Sequence, residues 1–361
     1  MTLDRLCLAR TEGVGPITYR RLIRRHGSAA AALAALPGLA RAAGRNAPPH
    51  TPAAGELQRE LDALDRMGGR MLFLDDPDYP PLLALIETAP PALAVLGDPS
   101  ALSARAVALV GARNASANGR RLAELLAADL GIAGLVVVSG LARGIDAAAH
   151  EGALRTGRTV AAIAGGLDMP YPPEHAILQQ EIAERGAVVS EAPLGTAPQA
   201  RHFPRRNRII AGLSLGTIVV EAAPQSGSLI TARMALAADR ILFAVPGSPL
   251  DPRCRGSNDL IRSDGAHLTE SAADVLAHLP DQWPSPRDPP SPGFSEAPEP
   301  LQDPDVVRLK LLNLLGPAAV PVDDLVRRCQ FSAAAVLGVL EELEAEGLVQ
   351  QLGSQVCRIA R

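Results

Sequence analysis

The sequence predicts an α/β protein: a doubly wound parallel sheet, with a small helical domain before it and a winged-helix pattern after it. Three observations carry this expectation. First, short continuous runs of Val, Ile, Leu and Ala alternate with helical patterns between residues 106 and 245. Strands apolar on both faces belong to a parallel sheet covered by helices on each side. Second, the runs end in glycine- or serine-bearing turns, beginning with Val110-Gly-Ala-Arg-Asn-Ala-Ser116. Strand, tight turn and helix form the first unit of a nucleotide- or phosphate-binding sheet. Third, the apolar period is helical before residue 65 and again after residue 303, where a hairpin pattern closes the chain.

At 361 residues and 47% hydrophobic, the chain is long enough for two or three domains with a large core. No apolar run reaches the length of a membrane span and no signal-peptide core is evident, so a cytoplasmic protein without membrane partners is expected. Cys7, Cys254, Cys329 and Cys357 lack C-x-x-C spacing, which argues against a metal site and a disulfide framework. The net charge of −4 excludes a global basic field, so any nucleic-acid site must be a local patch.

Taken in order, residues 1–68 read as a small helical domain. Leu3, Leu6 and Leu8 lead into Gly13-Val-Gly-Pro16, and Ile17, Tyr19, Leu22 and Ile23 follow at helical spacing. A helix–Gly-x-Gly–helix unit fits a helix-hairpin-helix, whose turn contacts phosphate, and Arg20, Arg21, Arg24 and Arg25 follow it. A packing domain of the sterile-alpha-motif type fits equally well. Residues 41–55 read as a loop and 56–67 as a helix. Residues 69–280 read as the sheet core. Its strands are expected at 70–74, 92–96, 106–110, 135–139, 159–164, 187–190, 217–221 and 241–245, with helices near 118–131, 144–156, 174–185, 205–213 and 227–238. Residues 281–302, rich in Pro and Ser and containing Trp283, read as a linker. Residues 303–361 give helices at 306–315, 322–329 and 332–346 and a hairpin at 347–359, a winged-helix pattern. Its third helix carries Glu341, Glu342, Glu344 and Glu346, which would repel phosphate, so a protein-interaction or stabilising role is expected of this domain rather than DNA reading.

In a parallel sheet, ligands bind at the C-terminal ends of the strands. There, besides Arg113, the chain places the segment Ser139-Gly-Leu-Ala-Arg-Gly-Ile-Asp146, Gly165-Gly-Leu-Asp168 with Tyr171, Ser190-Glu191, and Glu221 followed by Ser226-Gly-Ser228. Four such turns on one edge make a cradle of backbone N–H groups suited to phosphates. The segment Arg201-His-Phe-Pro-Arg-Arg-Asn-Arg208 adds four arginines around one of only five phenylalanines. Arginine neutralises a nucleic-acid backbone and an aromatic ring stacks on an unpaired base, the combination that single-stranded DNA requires. The alternative for Phe203 is a ring tucked into the core.

These blocks resemble the DNA-processing protein A family, DprA, also called Smf. The resemblance rests on Val110-Gly-Ala-Arg113, Ser139-Gly-Leu-Ala-Arg-Gly-Ile-Asp146 with Ala149-His150, and Gly165-Gly-Leu-Asp168 with Tyr171-Pro172. Phe203-Pro-Arg-Arg-Asn-Arg-Ile-Ile, Val219-Val-Glu-Ala222 and Val245-Pro-Gly247 extend it, in order, over about residues 79–268. The resemblance implies an extended Rossmann-like core that dimerises. It implies a protein that binds incoming single-stranded DNA and loads the RecA recombinase during natural transformation, without cofactor or catalysis. Carried over residue by residue, it implies DNA contacts from Arg113, Ser139, Gly140, Arg143, Phe203, Arg206, Asn207 and Arg208. The competing class is a Rossmann-like nucleotide hydrolase, using Glu221 or a Ser139/His150/Asp146 set. Against it, the Pro-Gly-Gly-x-Gly-Thr run of such hydrolases and a Walker lysine are both missing. Asp146 and His150, at i and i+4 on one helix, are expected to bond each other or to cap the glycine-rich turn.

Overall fold

The core is organised by nine strands: β1 (Gly69–Phe73), β2 (Ala92–Gly97), β3 (Ala106–Val110), β4 (Val136–Ser139), β5 (Thr159–Ala162), β6 (Ala187–Ser190), β7 (Gly216–Val219), β8 (Ile241–Ala244) and β9 (His267–Leu268). They form one sheet in the order β1-β2-β6-β5-β4-β3-β7-β8-β9. Every pairing from β6 to β9 is parallel, and β2 runs antiparallel to both β1 and β6. The structure is a computed structural model that describes residues 2–42, 47–280, 304–316, 320–329, 336, 339–340, 343, 348–352 and 355–358. The chain divides into two compact units, Met1–Pro284 and Ser285–Arg361.

The parallel strands are apolar on both faces because the crossover helices cover both sides of the sheet. All five residues of β3 are buried. Alternate side chains enter opposite layers, as strand geometry requires. Val107 and Leu109 pack with Leu126 and Leu130 of helix Ala117–Ile132 and with Ile145 and Ala149 of helix Ile145–Thr156. Ala108 and Val110 pack on the other face with Ile209, Ile210 and Leu213, where helix His202–Gly212 lies. Each such Val or Leu contributes about 1.5–3 kcal/mol through burial.

The strand order carries the functional consequence. From β3 the chain winds outward to β4, β5 and β6, then returns to add β7, β8 and β9 on the other side of β3. The loops after β3 and β7 therefore part in opposite directions and leave a crevice at their C-terminal ends, where doubly wound folds bind ligands.

The eight expected strands are all present, within a few residues of the expected limits. The helix expected at 205–213 starts earlier, at His202, so it includes Phe203 in its first turn. Helices Pro81–Leu85, Arg255–Ser263 and Ala272–Leu276, and the two-residue strand β9, are additions that the sequence pattern does not predict.

Ahead of the sheet lie helices Thr2–Arg10, Pro16–His26, Ala29–Ala42 and Ala54–Arg66. The hairpin glycines serve the turn: Gly13 has φ +75 and Gly15 precedes the proline that opens the second helix. That helix ends on Gly27, whose left-handed N–H returns to Ile23 O. Leu8, Tyr19, Leu22, Ala32 and Leu36 close a small core. Arg20 does not follow the expectation of a free basic face. Its guanidinium donates to Ala84 O at 2.7 Å and Ile86 O at 2.9 Å, fastening the domain to the sheet core. Arg5 adds an ion pair with Asp76 at 2.8 Å.

The second unit contains helices Pro304–Leu314 and Val322–Cys329. Its antiparallel sheet joins β10 (Val320–Pro321), β11 (Val349–Leu352) and β12 (Gln355–Arg358) in the order β10-β12-β11. Val307, Leu311, Leu325, Val336, Leu340, Leu343 and Val356 form its core. The expected hairpin is thus β11–β12, with a short third strand beside it. The linker expected at 281–302, Trp283, and the acidic positions Glu341, Glu342, Glu344 and Glu346 lie outside the described residues. Among the described residues no helix is long and apolar enough to cross a membrane.

The anchoring role of Arg20 is testable. Arg20→Ala leaves two carbonyls without their charged donor and should cost about 1–3 kcal/mol, read as an earlier urea midpoint with faster proteolysis at the N-terminal domain. An unchanged midpoint would show that these bonds add nothing to docking.

Candidate nucleic-acid interface

The turn after β3 and the turn after β4 are interlocked. A Cβ at Gly111 would lie 2.6 Å from Ile145 Cγ1. Gly144, at φ +78, sits where a Cβ would approach Ala112 O to 2.3 Å. Only glycine allows this approach, and it sets Arg113 at the mouth of the crevice. Arg113 is exposed and has no ion-pair partner among the described residues. Its guanidinium carbon lies 4.7 Å from the centre of the Phe203 ring. Arg206 lies 5.8 Å from the same ring, and Tyr171 meets it edge-on at 5.7 Å. Phe203 is half-buried and its neighbours are two cations and a tyrosine, so it is not a core ring.

Arg206 is the buried member, with 7% of its side chain exposed. It occupies the space over Gly140, where a Cβ would lie 1.6 Å from its Nη1. Its partner is Asp146, also 7% exposed, at 3.8 Å. Asp146 is itself held by the Ala142 amide, which donates to it at 3.4 Å. Burial raises the Asp146 carboxyl above its usual range, and the Arg206 charge opposes that rise. Burial likewise lowers Arg206, with Asp146 opposing. Arginine's high intrinsic basicity keeps it charged nonetheless.

Arg113, Gly140, Arg143, Tyr171, Phe203 and Arg206 line a small pocket of about 70 Å³. A larger groove of about 820 Å³ shares Arg113, Phe203 and Arg206 and continues past Asn207, Ser226 and Arg253. The structure therefore brings together five of the eight residues expected to contact DNA, and places Asn207 on the adjoining groove. The Asn207 amide donates to Gly227 O at 3.3 Å. Arg143 is exposed and paired with Glu174, which lifts its pKa. Two residues fall elsewhere. Ser139 is fully buried and its hydroxyl donates to Leu109 O at 2.6 Å, so its side chain bonds the neighbouring strand. Arg208 pairs with Glu191 and lines a different cavity. Positions two apart on a helix point nearly opposite ways, which separates Arg208 from Arg206. Tyr171 joins the site without being among the expected contacts. Its place after the Gly165–Asp168 turn, on the same sheet edge, is the signal in the sequence that could have found it.

The residues considered for catalysis make hydrogen bonds within the fold. Glu221, 6% exposed, accepts from the Ser116 amide at 2.9 Å and from the Ser116 hydroxyl, and Gly119 packs directly against its carboxylate. Ser116 in turn caps helix Ala117–Ile132. Ser139, Asp146 and His150 make separate hydrogen bonds. Asp146 caps the turn rather than bonding His150, whose Nδ1 pairs with Thr159 Oγ1 at 2.7 Å.

His150 gives a pH signature. Complete burial lowers its pKa to about 3, whereas an unfolded histidine titrates near 6.5. The unfolded state then binds the extra proton, so stability falls as pH drops from about 6.5 toward about 3, by a few kcal/mol in all. His150→Asn should flatten the urea midpoint over that range. An equally steep fall in the variant would assign the acid sensitivity to other groups. At the pocket itself, Gly140→Ala should expel Arg206 from its place and weaken nucleic-acid binding strongly while Gly134→Ala, on a distant exposed turn, does not. Equal binding by the Gly140 variant would show that Arg206 need not be seated there.

Residues 70–280 match the family model described as DNA recombination-mediator protein A. Residues 1–63 match a DprA-like N-terminal HHH domain and residues 295–355 a DprA winged helix domain. Protein Smf of Escherichia coli is 37% identical over 307 residues, covering 84% of this chain and 81% of its own. The DNA processing protein DprA of Streptococcus pneumoniae is 46% identical over 208 residues, covering 57% of this chain and 73% of its own. The X-ray structure of the Streptococcus pneumoniae protein superposes with a TM-score of 0.67 at 33% identity, over 78% of this chain and 99% of that one. A structure of DNA processing protein A from Helicobacter pylori, described for its single-stranded DNA binding mode, superposes with a TM-score of 0.53 at 29% identity, over 57% and 94%. With matches to all three domains and the core geometry in agreement, the chain belongs to the DprA/Smf family.

Proposed function

We propose that this chain binds single-stranded DNA at the C-terminal edge of its parallel sheet. We further propose that it protects incoming DNA and loads RecA recombinase on it in natural transformation, acting as a cytoplasmic homodimer through its core. The observation that carries the reading is the stack of Arg113 and Arg206 about the half-buried Phe203 ring at the β3/β7 crevice. An unpaired base has a free π-face to lay on such a ring, and the adjacent guanidinium neutralises the phosphate that follows it. A duplex hides its base faces and gains only the phosphate contact. The Helicobacter pylori relative, described as a single-stranded DNA binder, supports the same reading.

A binding role is favoured over nucleotide hydrolysis because Glu221 is already bonded to Ser116 and Ser139 to Leu109. In this reading residues 69–280 carry the DNA, residues 281–302 are a linker, and the winged helix of residues 303–361 serves protein contact.

The test uses oligo-dT and the same sequence as duplex. Phe203→Ala should lose about 1–3 kcal/mol of single-strand affinity while Phe203→Tyr loses little, and Arg113→Ala should narrow the preference for single strands over duplex. If Phe203→Ala lowers thermal stability and leaves affinity intact, the ring is structural and the reading fails.

A further inference from the structure

Arg208 points away from Phe203, into a second cavity of about 680 Å³. Three parts of the first unit supply most of its wall. The hairpin turn Gly13–Pro16 forms one side, the segment from Glu191 to Thr196 another, and His202, Arg205 and Arg208 of helix His202–Gly212 the third. Arg206, Ile163 and Ala164 line this cavity as well as the Phe203 pocket, so the two adjoin.

Most of the wall is apolar, and its charged groups are mainly arginines: Arg10, Arg205, Arg206 and Arg208. Glu191 is its one acidic lining residue, and Arg208 already pairs with it. Arg10 donates to Glu191 O at 2.6 Å and pairs with Glu60 at 2.7 Å. Arg205 is exposed and has no ion-pair partner among the described residues. Opposite it, Gly15 opens helix Pro16–His26 without a side-chain cap, so the positive end of that helix faces out. A Cβ built at Gly13 or Gly15 would meet nothing within 4 Å, so the turn is open. Glu12, beside the turn, is exposed and does not line the cavity.

We propose that this cavity takes the phosphate backbone of the DNA strand beyond Phe203, so that the hairpin turn and Arg205 grip the same strand as the core pocket. The proposal rests on the reading of Phe203 as a DNA-stacking residue. It assigns the N-terminal hairpin a ligand, and it fits a cavity inside the size range of ligand sites. Two grips on one strand act through effective concentration, so affinity should rise with oligonucleotide length once both are spanned.

The experiment measures binding of a short oligo-dT, which fills only the Phe203 pocket, and of one several times longer. The full-length chain is compared with Arg205→Ala, Gly15→Asp and Phe203→Ala. Aspartate is a favoured residue at the start of a helix, so Gly15→Asp should keep or raise stability while repelling phosphate. Both Arg205→Ala and Gly15→Asp should lose most of the affinity that the longer oligonucleotide gains. The salt slope of the long oligonucleotide should be lower by about 0.7 for each phosphate no longer neutralised. Short-oligonucleotide binding should change far less. An undiminished length advantage in both variants, with Phe203→Ala weakening both lengths, overturns the second grip and leaves the core site standing. If Phe203→Ala weakens neither length, the DNA reading fails and this inference fails with it.

Discussion

The interface depends on one buried cation. Arg206 is seated over Gly140 and held by Asp146, both charged groups almost wholly out of water. Desolvating such a pair roughly offsets its attraction, so it adds little to stability, yet removing one partner strands the other at a cost of about 3–5 kcal/mol. Its effect is therefore one of position. Gly140 must lack a side chain, Asp146 must be tied to the Ala142 amide, and the interlocked turns at Gly111 and Gly144 must hold the β3 and β4 loops together. With Arg206 fixed, both guanidinium groups lie over the Phe203 ring, Arg113 at 4.7 Å and Arg206 at 5.8 Å from its centre. The ring is thus held at the crevice rather than in the apolar core.

Under the proposed reading, the same geometry accounts for how a chain of net charge −4 would address a polyanion. Most arginines near the crevice are already neutralised: Arg143 by Glu174, Arg208 by Glu191 and Arg253 by Asp251. Arg113 and Arg205 are the groove-lining exposed cations without an ion-pair partner among the described residues, and Arg201 at the start of the Phe203 helix is a third exposed one. Because the Debye length is about 8 Å at physiological salt, the acidic groups elsewhere are screened from this edge. A few unpaired guanidinium groups at the mouth of a groove set the local field.

The sheet was legible in the sequence because parallel strands buried on both faces read as unbroken apolar runs, as β3 to β8 do. The edge of the sheet was legible too, since parallel topology sends every strand-end loop to one side and so brings Arg113 near Arg206. What was not legible followed from direction rather than position. Arg206 and Arg208 are adjacent in any basic motif, but helical geometry turns one into the pocket and the other into the second cavity. Ser139 ends a buried strand, and its hydroxyl satisfies the Leu109 carbonyl. Arg20 lies in a basic run that suggests a phosphate-binding face, yet its reach to Ala84 and Ile86 exists only once the domain docks. Strand β9, two residues long, and the short helix Ala272–Leu276 are too brief for any period to announce them.

The central claim is that one unpaired base lies on Phe203 at the β3/β7 edge. A crystal structure of the full chain with bound oligo-dT tests it most directly. The account predicts a thymine stacked on the Phe203 ring with its flanking phosphate on Arg113, at the C-terminal ends of the parallel strands. A strand seated at the opposite end of the sheet, with Phe203 still covered only by Arg113, Arg206 and Tyr171, would contradict it.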